Sequence, residues 1–464
     1  MDVALSMFPG ATISGRVTAE GEAQFNTQVQ AFSITYENGF QVLRPWVSKT
    51  TDDRGDYRLF FLPPGEYFIA AMPRQSARPA LTAPATAPTS TSTQPAERAV
   101  RTFFPRTSDV AAAVPVVARG GEELSGIDIT IRTETTYRVS GEIRSSIPIN
   151  AILGGQTVQG NPMVGATVGF ALHDPNVPDD SGGTSVGNVT LRPSGNGFSA
   201  PFEITGVLPG SYDWRASVNE TLSDGTAQPA TAIVPLEVRN RDIAGVVLDI
   251  HRTVEVKGNV TIDGQPPGQN KVRVSLQVEG SSAKRPGYQT TAARVMQADA
   301  QDGSFNIPGA GIGRYRVMIG EGLAPNLYVE DVRQGAVRVF DSGFDVGIEP
   351  PAPILVMLRS GAGRMEGVVQ DAAKKPVAGA TVALVPPQQR RQNRMAYRSA
   401  VSDANGRFVI TNAAPGGYKL FAWSSIPSGA YFNATFLSRY EDGGKPVNID
   451  QASTVNAALT ASFK

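Results

Sequence analysis

One pattern recurs four times along the 464 residues, and it limits the possible folds more than any other feature. Each copy opens on a short apolar segment centred on a glycine. These are Ile13-Ser14-Gly15-Arg16-Val17, Val139-Ser140-Gly141-Glu142-Ile143, Val256-Lys257-Gly258-Asn259-Val260 and Met365-Glu366-Gly367-Val368-Val369. Each later reaches a Gly-x-Tyr: Gly65-Glu66-Tyr67, Gly210-Ser211-Tyr212, Gly313-Arg314-Tyr315 and Gly416-Gly417-Tyr418. An aromatic residue stands ten positions before each tyrosine, as Tyr57, Phe202, Phe305 and Phe408. An apolar segment then closes each copy, at residues 127–131, 246–250, 354–358 and 455–459.

The spacing has a physical reading. Before the aromatic, Asp53-Arg54-Gly55, Asp302-Gly303 and Asn405-Gly406 supply residues that accept the positive φ of a tight hairpin. After it come prolyl turns, as in Leu62-Pro63-Pro64-Gly65 and Leu208-Pro209-Gly210. Tyr418, Leu420 and Ala422 share one face at period two. Ten residues suit strand, turn, strand, which predicts two aromatics facing one core from neighbouring strands. The chain has 48 Gly and 34 Pro yet is 41% hydrophobic, so it predicts many short strands rather than long helices. The predicted fold is all-β, with four tandem domains. Their boundaries are 9–136, 137–252, 253–360 and 361–464. The short connections predict a semi-rigid rod.

These segments resemble the carboxypeptidase regulatory-like domain. The resemblance rests on the Gly-x-Val opening, on Gly165-Ala166-Thr167-Val168 and Gly379-Ala380-Thr381-Val382, on residues 402–408, and on Leu62-Pro63-Pro64-Gly65-Glu66-Tyr67. It extends over nearly the whole chain and is strongest in the first and fourth copies. It implies that the four tandem domains are β-sandwiches of a seven-stranded, transthyretin-like (prealbumin-like) type, related to collagen-adhesin B-type domains. It implies an accessory module of secreted or surface bacterial proteins and brings no catalytic residues. Lys257 and Glu321 invite comparison with the Lys–Asn cross-links of the B-type domains, but the closing segment 354–358 offers no Asn.

Two stretches depart from the repeat. Residues 73–98 are rich in Pro, Ala, Thr and Ser, with little to bury, and predict a disordered insert. Val3-Ala4-Leu5 precedes Gly15 at the distance by which Ile131 precedes Gly141, so residues 1–8 read as an orphan closing strand. The expectation adopted is a fragment of a longer protein. The alternative is a strand that completes a neighbouring subunit by β-augmentation.

Formal net charge is zero, with 42 basic and 42 acidic residues, which argues against nucleic acid as a partner. Cysteine is absent, excluding disulfides and thiol chemistry. No apolar run reaches transmembrane length, so membrane insertion is not expected. Met1–Gly10 lacks the build of a secretory signal, and a mature or trimmed exported chain is the expectation.

Chemistry-bearing residues are sparse. His173 and His251 lie in different repeats. Gly183-Thr184-Ser185-Val186-Gly187 matches a nucleophile-elbow pattern, which requires a helix after the turn; a strand-like segment follows instead. Gly309, Gly311 and Gly313 precede a strand pattern and not a phosphate-binding helix. Asp52, Asp53 and Asp56, and Asp403 with Asn405, are turn residues with too few oxygens for calcium. Arg390, Arg391, Arg394 and Arg398 read as a solvated connection. Trp214 shares the parity of Tyr212 and should be core, whereas Phe421 and Trp423 have the opposite parity to Tyr418.

The reading is therefore non-enzymatic, with no catalytic, metal or cofactor site. It describes a structural or adhesive module of an exported bacterial protein, extracellular or at the cell surface, with a filament subunit as its specific form. Val3, Ala4, Leu5, Phe421, Trp423 and Tyr431 are the candidate interaction residues. The expected partner is protein, through self-association at strand edges. A carbohydrate-binding module, with polysaccharide as partner, is one alternative; a regulatory segment of a larger secreted enzyme or transporter is the other.

Overall fold

A computed structural model describes residues 9–37, 39–73, 80–82, 96–152, 165–173, 184–221, 227–279, 296–299, 301–320 and 322–462. The chain forms two compact units. One comprises Met1–Thr35, Gln41–Val218 and Ala232–Ile250; the other comprises Tyr36–Phe40, Asn219–Thr231 and His251–Lys464. The described strands make eight sheets, which fall in consecutive pairs along the four sequence repeats.

Every repeat uses the same pairing at its centre. The opening strand runs antiparallel to the strand carrying the aromatic and parallel to the closing strand. In the fourth repeat, Gly363–Gln370 lies between Arg407–Ala413 and Thr454–Thr460. In the third, Val254–Ile262 lies between Ser304–Ala310 and Ile354–Ser360. In the second, Thr133–Ser145 lies between Gly197–Val207 and Ile243–Asp249. In the first, Ala11–Ala19 pairs with Asp56–Leu62 and, in parallel, with Ile129–Thr130.

The repeated glycine follows from this pairing. A Cβ on Gly15, Gly141, Gly258 or Gly367 would lie 2.1, 1.8, 2.1 or 1.9 Å from the carbonyl oxygen of Ile127, Val246, Ile354 or Ala457. Each glycine is also the direct cross-strand partner of its repeat's aromatic: Tyr57, Phe202, Phe305 or Phe408. A Cβ on Gly258 or Gly367 would strike that aromatic ring as well, at 2.4 and 2.8 Å.

The hairpin expectation is corrected. The strands flanking the Asp-Gly and Asn-Gly turns lie in different sheets. So do the strands carrying the two aromatics: Asp56–Leu62 pairs with the opening strand, and Gly65–Met72 belongs to the other sheet of its pair. The turns are therefore crossings between layers. Tyr57 and Tyr67 meet because both sheets bury side chains in one core with Ile13, Val29, Leu59 and Ile69. The same pairing of layers gives the cores around Phe305 and Tyr315, and around Phe408 and Tyr418.

The hydroxyl of each Gly-x-Tyr tyrosine clamps the second crossing. Tyr67, Tyr212, Tyr315 and Tyr418 each donate to the carbonyl four residues earlier: Pro63, Leu208, Gly311 and Ala414, at 2.7, 3.0, 3.1 and 2.9 Å. In the first and fourth repeats the first crossing is held by an aspartate. Asp52 Oδ1 accepts from the Arg54 and Asp56 amides at 3.0 and 2.8 Å, and Asp403 Oδ1 from Asn405 and Arg407 at 2.9 and 2.7 Å.

Most of the insert expected over 73–98 lies outside the described residues, but two described pieces of it are strands. Ala80–Thr82 pairs antiparallel with Glu203–Thr205, and Ala96–Ala99 with Thr133–Thr136, so both extend a sheet of the second repeat. Strand addition uses main-chain hydrogen bonds and needs no large side chain, which is why composition alone misleads here.

Gly367→Ala should lower stability by about 2–3 kcal/mol, because the new methyl meets backbone; the shift of the urea transition measures it. Tyr418→Phe should cost about 1 kcal/mol through the lost hydroxyl bond. Burial pushes Tyr212 and Tyr315 up from 10.0 to about 12. The folded state thus retains protons that the unfolded chain releases. Stability should be whole below pH 10 and fall as pH rises to about 12, as read by tyrosinate absorbance against unfolding.

Candidate interaction surface

Val3, Ala4 and Leu5 lie outside the described residues. The other three candidates fall in the fourth repeat, whose outer sheet face is roofed by residues 424–445. The roof is made of helical turns at Ala430–Phe432, Ala434–Ser438 and Glu441–Gly443. Phe421 and Trp423 project to that face and are buried beneath it, so neither presents a ring to a partner. Their rings stack at 5.4 Å and 5°. Phe436 and Tyr440 close over Trp423 at 6.0 and 5.7 Å. Tyr431 is partly buried, and its hydroxyl lies 2.9 Å from Ser399 Oγ. The Tyr36–Phe40 segment joins this cluster: Asn433 Nδ2 donates to Gly39 O at 3.0 Å, and Tyr36 meets Phe436 edge-on at 5.8 Å. The parity argument left these rings open to either fate, and the roof decides it.

The four arginines of residues 390–398 are not a solvated patch. Arg391 forms a bidentate pair with Glu441 at 2.8 and 3.0 Å, and Lys419 reaches the same carboxylate at 2.8 Å. Arg390 pairs with Asp341 at 3.2 Å and lies over Phe340. Arg394 lies over the Phe432 ring at 4.5 Å. Arg398 donates to the carbonyls of Asn412, Met395 and Tyr397 at 2.8, 2.7 and 2.7 Å, and burial pulls its pKa down. Arg390, Arg391 and Arg394 find partners far off in sequence, so the local run of arginines gave no hint of this. Asn393 Nδ2 adds bonds to Phe340 O and Asp341 Oδ1 at 2.9 and 3.0 Å, joining the third and fourth repeats within the second unit.

Beside the Arg391–Glu441–Lys419 cluster lies an open groove of about 530 Å³, framed by Pro386, Pro387, Tyr418 and Pro446. Two cations share one carboxylate there, and hydrogen bonding from Arg391 is the main reason Glu441 falls from 4.5 to about 2.

The remaining motifs resolve into structure. Strand Thr184–Thr190 runs through the Gly-x-Ser-x-Gly match, and strand Gly313–Ile319 follows the glycines at 309–313. His173 Nδ1 lies 2.7 Å from Asp213 Oδ1 at the surface, and His251 begins a two-residue strand. Trp214 is fully buried, as its parity requires. Lys257 is exposed and pairs with Glu255 at 3.5 Å; Glu321 lies outside the described residues. Among the described residues there is no group of three or more His, Cys, Asp or Glu able to hold a metal, and no helix long and apolar enough to cross a membrane.

Sequence reasoning missed where the exposed apolar side chains gather. Trp46, Val117, Val337 and Val401 are exposed, and each lies on a strand at the edge of its sheet: Phe40–Thr50, Val116–Ala118, Val337–Arg338 and Arg398–Val401. Phe25 and Phe61 are exposed as well. Trp46 is held by a 2.7 Å bond to Ser33 Oγ and by edge contact with Tyr67.

Glu441 stabilises the fold in its charged form, because its pKa is lower folded than unfolded. That contribution is whole above pH 4.5 and should fade as pH falls toward 2; Glu441→Gln should remove this part of the acid dependence, read from urea midpoints across the range.

Comparison with known proteins follows the geometry. The chain is similar to a streptococcal ancillary pilin at 14% identity over 70% of this chain and 99% of that one, with a TM-score of 0.22. It is similar to BcpA, the major pilin subunit of Bacillus cereus, at 11% identity over 97% and 98%, TM-score 0.15. It is similar to the pilus protein RrgB of Streptococcus pneumoniae at 10% over 98% and 98%, TM-score 0.16. Such scores are too low to carry a role from one chain to another. No curated protein matches the chain. A model of the carboxypeptidase regulatory-like domain matches residues 364–460, the segment holding Gly367, Phe408, Tyr418 and the parallel closing strand. Residues 364–460 are thus similar to the carboxypeptidase regulatory-like domain, and the chain repeats the same glycine, aromatic and tyrosine framework four times.

Proposed function

We propose that the chain is a non-enzymatic structural or adhesive module of an exported bacterial protein. Its four repeats are four prealbumin-like sandwiches, and it associates with further copies of itself through sheet edges, as an extracellular filament subunit does.

The placement of exposed apolar residues on edge strands supports this reading most. An edge strand offers unpaired N–H and C=O groups, and soluble proteins usually blunt it with charge, proline or bulges. Here Trp46, Val117, Val337 and Val401 leave an exposed apolar group on each of four edges, although the first of these also carries Arg44, Pro45 and Lys49. Pairing on such an edge gains main-chain hydrogen bonds and buries these side chains at the same time. The strands Ala80–Thr82 and Ala96–Ala99 provide a precedent within the chain, since both add to existing sheets without a large apolar patch.

Negative-stain microscopy and light scattering of the full chain test the proposal. The wild type should assemble with rising concentration. Val117→Lys with Val401→Lys should weaken lateral association at least tenfold, corresponding to about 1.4 kcal/mol or more, while leaving the melting temperature unchanged. A wild type that stays monomeric at high concentration would sink the assembly reading.

A further inference from the structure

Four residues after its aromatic, every repeat breaks register with its opening strand. The residues there are Phe61, Gly206, Gly309 and Asn412, with φ of 60°, 80°, 83° and 59°. This is the left-handed region, which glycine occupies freely and asparagine tolerates. A phenylalanine there is an outlier whose backbone is strained. The side chain buries almost nothing in return, since Phe61 is 89% exposed. Its ring lies 6.3 Å from that of Phe60, itself 36% exposed, and Arg58 lies over Phe60 at 5.2 Å. Strain kept at an exposed aromatic points to function outside the fold.

The other repeats show what this end of the sandwich meets. In the fourth, Asn412 Nδ2 donates to the carbonyls of Ala324 and Leu327, at 2.6 and 2.7 Å, in a turn of the third repeat. In the third, Gly311 lies so close to Thr231, of the second repeat, that a Cβ would fall 2.9 Å from its Oγ1. In the second, Glu203–Thr205, just before Gly206, pairs with Ala80–Thr82 of the first. In each case the bulge end abuts the repeat that precedes it. In the first repeat this position carries an exposed aromatic pair.

We propose that Phe60 and Phe61 dock onto a second copy of this chain, head to tail, at its Pro427–Ala430 turn. That turn is the counterpart of the one Asn412 grips. Pro427 follows Tyr418 by as many residues as Ala324 follows Tyr315. Both turns close with the same bond, Ala430 N to Pro427 O at 3.1 Å and Leu327 N to Ala324 O at 2.9 Å. Ser428 is exposed at its tip, and Ile426 and Pro427 are only partly buried. An apolar flank of this kind suits an aromatic, as the two carbonyls of the third-repeat turn suit an amide. The contact is heterologous, so each copy retains one free end and strings can grow. This deepens the assembly reading and rests on it: edges would act laterally, and this contact lengthwise.

Analytical ultracentrifugation and melting of the full chain test it, using wild type, Phe61→Asn and Ser428→Arg. Wild type should form strings beyond the dimer. Either variant alone should be at least tenfold weaker in lengthwise association. Mixed one to one they should form dimers and stop, since one retains the turn and the other the aromatic pair. Phe61→Asn should melt no lower than wild type, because it relieves strain. Lower melting would overturn the strain argument, and undiminished strings from Phe61→Asn would overturn the docking surface while leaving edge assembly standing. A monomeric wild type would overturn both.

Discussion

A single missing atom organises each repeat. The closing strand runs parallel to the opening strand and brings a carbonyl oxygen to within about 2 Å of where a Cβ would stand on Gly15, Gly141, Gly258 or Gly367. The aromatic of the neighbouring antiparallel strand pairs with that same glycine. Glycine in a strand normally weakens it, because there is no side chain to pack. Here the cross-strand aromatic fills part of that deficit, and the close approach of the third strand makes the deficit necessary. The first and last strands of a repeat, about a hundred residues apart, become neighbours through this contact. The two aromatic-bearing layers then close over the core they define.

Much of this was legible in the sequence, because the signals are local or strictly periodic. The glycine, the aromatic, the tyrosine and the closing apolar run all mark strands of the central sheet or its neighbour. The turns were legible too, but their destination was not. Asp52 and Asp403 cap their own turns, yet the same turn chemistry serves a hairpin or a crossing between layers. Only the third strand, far away in sequence, decides between them. The tyrosine hydroxyl was overlooked because a core aromatic needs no hydrogen bond to explain it, although a partner four residues back was within reach in all four copies.

The candidate surface was far less legible. Phe421 and Trp423 lie on the outward parity of their strand, and the helical turns at Ala430–Phe432, Ala434–Ser438 and Glu441–Gly443 roof them over. Residues 390–398 look like a basic loop, but Arg391 finds Glu441 and Arg390 finds Asp341, each about fifty residues distant. The insert at 73–98 has the composition of a tail, yet two pieces of it complete another sheet through backbone alone. In each case the outcome depends on a partner that no local window contains. The strained Phe61 was equally hidden, since its oddity appears only when four backbone angles are set side by side.

The parallel arrangement of the opening and closing strands also fixes how a repeat responds to tension. A pull along the chain enters at the start of Gly363–Gln370 and leaves at the end of Thr454–Thr460, which are opposite ends of a parallel pair. The load falls across all the rungs between them at once, in shear, rather than opening them one after another like a zip. The glycine contact sits in the middle of that ladder and keeps the two backbones close where the load is shared. A chain of such repeats would resist extension until a whole ladder yields, and then lengthen by one repeat at a time.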